Sequence, residues 1–178
     1  ALLNDMFVDR WAKPWSRYCD EKGISWTGHY WEHSWPNVTG VIDNMSMAAW
    51  QQTPGIDMLC NQFNEKDVHA QFGNIRSVKE VRSIANQLGR QRVLSETYGA
   101  AGWEATFKDM KRLADWQMVL GVNLVNQHVG HMSLDGVRKF DYPPMFTRAA
   151  SWWENYHVLN DYIARICTVM SLGEQVND

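Results

Sequence analysis

The chain has no excess of positive charge: 17 Lys and Arg stand against 20 Asp and Glu, a formal net charge of −3. It therefore lacks the basic footprint that phosphate backbones require, and no nucleic-acid partner is expected. No apolar run approaches the roughly 20 residues that span a bilayer, so no membrane partner is expected either. Only three cysteines are present, Cys19, Cys60 and Cys167, far apart and in no CxxC pattern. That spacing argues against a zinc site or a disulfide framework, and buried free thiols are the expectation. The GxGxxG and GxxxxGKS/T phosphate loops, the GxSxG elbow and the HExxH helix are missing too. Nucleotide, serine-hydrolase and zincin chemistry lose their support with them.

What the chain has in quantity is tryptophan, ten in 178 residues. Trp26, Trp31 and Trp35 form one cluster, Trp152 and Trp153 another. An indole fills a core well, and its flat face also packs on the C–H face of a sugar ring, so composition alone leaves both uses open. The length suffices for one core. No linker, repeat or low-complexity tract divides the chain, so residues 1–178 are read as one unit. The first residue is Ala1 rather than Met, and Asp178 follows closely on a predicted helix. Both ends look cut. The expectation is a piece of a longer protein, in which the lack of a signal peptide here says nothing about export.

Helical periodicity is clear in three places. Ile75, Val78, Val81, Ile84, Ala85 and Leu88 share a face, with Ser77 and Glu80 at capping-box spacing and Gly89 as the stop. Thr106 and Asp109 open the next helix, which carries Met110, Leu113, Ala114 and Leu120 to a stop at Gly121. The last spans about 153–172, with Tyr156, Leu159, Ile163, Ile166 and Met170 inward, and ends at Gly173. A weaker helix near 3–21 is interrupted by Pro14, and a short one covers 44–52. Between the helices lie four brief apolar runs, 24–27, 56–60, 93–95 and 122–125. Their starts are 32, 37 and 29 residues apart, the length of one strand plus one crossover helix. That rhythm predicts a parallel α/β architecture.

Each run leaves into polar groups. His29, Glu32 and His33 follow the first, Asn61 and Gln62 the second, Glu96 and Tyr98 the third, Asn126, Gln127, His128 and His131 the fourth. In parallel α/β folds ligands sit outside the carboxyl ends of the strands, because the βα loops all open on one side. Four such exits make one wall of a site. Glu96 is the foremost candidate: an apolar strand delivers it, and the glycines at 99 and 102 let a ligand come close. The plain alternative is an ion pair with Arg90 or Arg92. Glu32, between Trp31 and His33, suits a general acid, since desolvation among aromatic rings raises a carboxyl's proton affinity. Its plain alternative is an exposed loop residue. The pairs His29/His33 and His128/His131 do not read as transition-metal ligands, because an i, i+4 pair needs a helix. No EF-hand-like loop marks a calcium site. The loop 135–144, with Arg138, Lys139 and Asp141, is read as both salt-bridged and in contact with substrate, its plain alternative being a salt-bridged loop and no more.

Taken together, the segments GISWTGHYWEH, TPGIDML, VLSETYGAAGW, LGVNLVNQH and GVRKFDYPP resemble a barrel region of glycoside hydrolase family 106, the α-L-rhamnosidases, over about residues 20–175. The resemblance implies a (βα)8 TIM barrel in which the four runs are roughly strands 4 to 7. The chain would then be a partial catalytic domain, completed by the remaining barrel strands of a parent chain and leaving one sheet face uncovered without them. It also implies a bacterial glycosidase, periplasmic or secreted, that acts on an oligo- or polysaccharide with inversion. Calcium would lie near the sugar, and two carboxyl groups would carry the chemistry. Carried onto this sequence, Glu32 is the acid and Glu96 the partner carboxylate. His29, Tyr98, Asn126 and His128 bind sugar hydroxyls, and Trp31 or Trp103 stacks on the ring. One departure counts against a retaining mechanism: Gln127 and His128 stand where retaining barrel glycosidases place their nucleophile. The base is therefore open between Glu96, Glu104 and a residue outside the chain. Two rival expectations are a non-catalytic carbohydrate-binding barrel and a barrel lyase or isomerase of a small metabolite.

Overall fold

The structure, a computed structural model, describes residues 2–30, 43–59, 68–140 and 144–175, with the backbone alone for 68–74. The chain opens with α1 (Leu2–Phe7), a π turn (Val8–Ala12) and α2 (Lys13–Lys22), which run on without a break. Pro14 was expected to interrupt this helix and does not. Lacking an N–H, it cannot donate to the carbonyl four residues back. The helix absorbs that loss in the wide turn just before it, where the Lys13 amide donates to the Val8 carbonyl. Gly23, with φ 64°, ends α2 in the left-handed conformation.

The sheet has three parallel strands in the order β1 (Gly55–Met58), β2 (Leu94–Thr97) and β3 (Leu124–Gln127). A short helix, α3 (Asn44–Ala48), precedes β1 and is capped by the Asp43 side chain, which accepts from the Met45 amide. The crossovers are α4 (Val68–Gln87) and α5 (Phe107–Leu120), and α6 (Tyr156–Leu172) follows β3 after a 3₁₀ turn at Trp153–Asn155. The predicted α/β architecture is thus present for three of the four apolar runs. The first run forms no strand. Side-chain amides take the backbone groups that a ladder would use: the Trp26 amide donates to Gln52 Oε1, and Gln51 Nε2 donates to the Gly28 carbonyl, both at 3.0 Å. Residues 24–30 therefore lie as an extended segment beside β1.

The capping-box reading of Ser77 and Glu80 fails, because α4 begins more than two turns earlier, at Val68. Ser77 is buried inside the helix, and Glu80 pairs with Arg76 one turn back at 2.6 Å. The box at Thr106 and Asp109 does form, with each side chain accepting from the other's backbone amide. Glycines end the helices as predicted, Gly89 with φ 66° after α4 and Gly121 with φ 123° after α5.

One face of the sheet builds the core. Ile56, Met58, Ser95 and Thr97 are at most 1% exposed, and the two apolar ones join Val78, Val81, Leu113, Met118, Tyr156 and Ile163 of α4, α5 and α6 in one cluster. Period-2 alternation sends Asp57, Leu94, Glu96, Leu124 and Asn126 to the opposite face, which is half-buried or exposed. The strands start one or two residues later than the apolar runs predict, except β1. Glu96 and Asn126 consequently lie within strands rather than beyond them. No described helix is long and apolar enough to cross a membrane.

Candidate active site

Register decides which side chains meet. Asp57, Glu96 and Asn126 are partners across β1, β2 and β3, so they stand in one row on the open face, with strands about 4.8 Å apart. Glu96 is held from two sides. His29 comes from the segment that passes against Gly55, where a Cβ would lie 2.8 Å from the Gly28 carbonyl oxygen, and only glycine admits the segment that closely. Its Nε2 lies 3.0 Å from Glu96 Oε2. His128 extends the ladder by donating its amide to the Thr97 carbonyl at 2.9 Å, and its Nε2 lies 3.7 Å from Glu96 Oε1. The side chains of His29, Glu96 and His128 are 34%, 29% and 27% exposed, covered enough to be held and open enough to meet a ligand. The His29 contact is of hydrogen-bond length and orients the carboxylate, whereas His128, at 3.7 Å, lines its other side without bonding to it. The alternative ion pair with Arg92 does not form; that guanidinium donates to the Asn123 carbonyl at 3.0 Å.

The other predicted residues divide. Asn126 is exposed in the same row. Trp103 is 44% exposed on the β2–α5 loop, and its indole N–H donates to the Lys139 carbonyl at 2.7 Å, tying that loop to the 3₁₀ turn Gly136–Phe140. Tyr98 is not brought to the wall. With φ 72° it turns the chain at the end of β2 and points into the core, 0% exposed, donating its hydroxyl to the Met110 carbonyl at 3.0 Å. Its ring stacks on Phe146. The sugar-binding role expected of Tyr98 is corrected to one of bracing the loop from behind. The Glu104 carboxylate folds against Gly102 of its own loop. Trp31, Glu32, His33, Cys60, Asn61, Gln62 and Asp141 lie outside the described residues. Asp57 was missed. Its signal was the alternation Ile56-Asp57-Met58, a polar residue between two that the core buries.

A family model described as alpha-L-rhamnosidase matches residues 1–178. The chain belongs to that family, glycoside hydrolase family 106. Among solved structures it is similar to the rhamnosidase from Novosphingobium sp. PP1Y, with a TM-score of 0.77 and 24% identity over 97% of this chain. The chain spans 16% of the length of that protein. At this identity the likeness is one of fold. No curated protein matches the chain.

Within the family frame, two further features of the wall bear on chemistry. Gln127 belongs to the core side of β3, where it meets the Tyr156 hydroxyl of α6, whose pKa burial pushes up to about 12. A carboxylate at position 127 would face α6 rather than a ligand. The second feature concerns calcium, which the family resemblance implies. Among the described residues no group of three or more His, Cys, Asp or Glu is placed to hold a metal. Asp57 and Glu96 offer hard oxygen donors, but imidazoles flank Glu96, and they are poor ligands for calcium. The described residues do not by themselves fit a calcium site.

Proposed function

We propose that this chain is the part of a (βα)8 catalytic barrel that carries one catalytic carboxylate, Glu96, of an α-L-rhamnosidase. The observation that supports this reading is the clasp on Glu96, with His29 Nε2 at 3.0 Å and His128 Nε2 at 3.7 Å on the open face of the sheet. Parallel strands joined by helical crossovers are an arc of such a barrel, and its inward face carries the catalytic groups at the strand ends. In this reading the segment 24–30 takes the place of the strand before β1.

Hydrolysis of the glycosidic bond needs one carboxyl group to protonate the leaving oxygen and another to activate water. Glu96 accepts the proton of the attacking water as its oxygen bonds to the anomeric carbon. A carboxylic acid, assigned to Glu32, gives its proton to the leaving oxygen as the bond between that oxygen and the anomeric carbon breaks. Solvent then carries the proton from Glu96 away and restores the acid. His29 and His128 hold the carboxylate of Glu96 toward the ligand, Asn126 offers its amide to sugar hydroxyls, and Trp103 or Trp31 stacks on the ring.

The test is turnover by the full-length polypeptide of a panel of aryl glycosides that includes p-nitrophenyl α-L-rhamnoside, beside its Glu96→Gln variant. We expect release of nitrophenol by the parent and a loss of about a hundredfold or more in kcat in the variant. A parent that turns over no aryl glycoside, or a variant with parental kcat, would remove this reading.

A further inference from the structure

His29 reaches Glu96 from a segment that belongs to no strand, so something other than a sheet ladder must set its height. The residues on either side of it, Gly28 and Tyr30, are both fastened to one side chain, that of Gln51, which is 0% exposed. Gln51 Nε2 donates to the Gly28 carbonyl at 3.0 Å, and its Oε1 accepts from the Gly55 amide at 3.2 Å. The Tyr30 hydroxyl bonds to Gln51 and to Trp11 of the π turn, and burial pushes its pKa up to about 12. Gln51 is itself fixed where α3 ends, its backbone amide donating to the Ala48 carbonyl at 3.0 Å. One planar amide thus spans from the first residue of β1 to both neighbours of His29. The plain use of such a group is to satisfy backbone polar groups. Gln52 next to it does that, accepting from the Trp26 amide and donating to Asp20 and to the Ser16 carbonyl. Its bonds fall on α2 and on a residue three positions before His29. Those of Gln51 fall at His29 itself and at the strand beside Glu96.

We propose that Gln51 is a positioning residue of this site, whose side-chain amide sets the reach of His29 to Glu96 and so the orientation of that carboxylate. The proposal rests on the catalytic reading of Glu96 given above. The path is short. Gly55 is level with Leu94, two residues before Glu96, which is about 6.6 Å along β2. A height fixed at Gly55 is therefore carried over one step to Glu96. The tolerance is narrow too: at 3.0 Å the His29–Glu96 contact is only about 0.5 Å short of the length at which a hydrogen bond is lost.

The experiment uses the full-length polypeptide and two substitutions, each made alone and together with His29→Asn. Gln51→Met keeps the length of the side chain and removes the amide. Gln51→Glu keeps an oxygen for Gly55 and, while protonated, a donor for Gly28. Hydrolysis of p-nitrophenyl α-L-rhamnoside gives kcat and KM, and thermal melting follows the fold. We expect Gln51→Met to lower kcat about tenfold with KM within a few-fold. In the His29→Asn background it should lower kcat by less than about twofold, while the fall in melting temperature is the same in both backgrounds. Gln51→Glu should approach the parental kcat at acid pH and lose it as its carboxyl ionises. A crystal structure of the Gln51→Met protein, or of Gln51→Glu if only that variant folds, should show His29 Nε2 beyond hydrogen-bond reach of Glu96. Parental kcat in both Gln51 variants, or an equal loss with and without His29, would overturn the proposal and leave the Glu96 reading intact. Loss of the fold in both variants would make Gln51 purely structural and overturn it equally. Parental kcat in Glu96→Gln would instead remove the Glu96 reading, and the separation measured in the crystal would still decide whether Gln51 places His29.

Discussion

His29 and Glu96 meet at 3.0 Å although 67 positions separate them in the chain, and the meeting depends on an absent side chain. At Gly55 a Cβ would lie 2.8 Å from the Gly28 oxygen and 2.9 Å from Thr27 Oγ1. The segment that carries His29 would have to move outward to admit it. On the catalytic role proposed for Glu96, His29→Asn should lower kcat of the full-length polypeptide on an aryl rhamnoside about ten- to hundredfold, since a catalytic group displaced by about 1 Å loses rate on that scale. His128→Asn, whose contact is longer at 3.7 Å, should lose less. Gly55→Ala should follow His29→Asn in direction without touching Glu96. Parental kcat in all three variants would show that the imidazoles do not hold the carboxylate.

Tyr98 offers a sharp contrast with its neighbour Glu96. Its hydroxyl is occupied by the Met110 carbonyl at 3.0 Å within the core. Tyr98→Phe should cost about 1 kcal/mol of stability, the usual net worth of one intramolecular hydrogen bond. KM for the aryl rhamnoside should not move. A raised KM with an unchanged melting temperature would return Tyr98 to the sugar-binding wall.

The polar interior beside it invites a double-mutant cycle. Gln117 is 0% exposed and donates from Nε2 to Thr97 Oγ1 at 2.9 Å, while its Oε1 has no partner among the described residues. Gln117→Leu strands the Thr97 hydroxyl in the core, a cost of about 1–3 kcal/mol. Adding Thr97→Val removes that orphaned group and suits a strand position. Urea unfolding should find the double variant more stable than Gln117→Leu alone. If the second substitution only adds to the loss, the Gln117–Thr97 bond is not what the core relies on.

How far the sequence foretold this site depends on the kind of signal each residue carries. Periodicity and capping are local, and they located α5 by Thr106 and Asp109 and its end by Gly121. The polar exits of the apolar runs were local too, and they led to Glu96, Asn126 and His128. What they could not convey is direction. Tyr98 takes a positive φ that a run of Ser, Glu, Thr and Tyr does not announce, and that one angle sends the ring inward. The first run failed as a strand because Gln51 and Gln52, some 25 residues on, compete for its backbone groups. Asp57 escaped notice for a related reason. Its standing comes from the register between β1 and β2, a long-range relation that no window of sequence contains.

Asp109 gives a pH test of the best-formed local motif. The Thr106 hydroxyl and then the Thr106 amide donate to its carboxylate, and both hold its pKa below the usual carboxylate range. A folded-state pKa below the unfolded value favours the folded state only while the carboxylate is ionised. The contribution is complete above the unfolded value near 3.8 and disappears as pH falls through the lower folded value. The group is largely in solvent, so its worth is screened, and its place in the first turn of α5 sets the scale at about 0.3–1 kcal/mol. Asp109→Asn should accordingly be less stable than the parent by about that much at pH 7. The gap should narrow once the pH drops below about 4. Urea unfolding of both proteins at pH 7 and pH 3 measures it. A gap that is the same at both pH values would mean that the geometry of the capping box matters there and the charge does not.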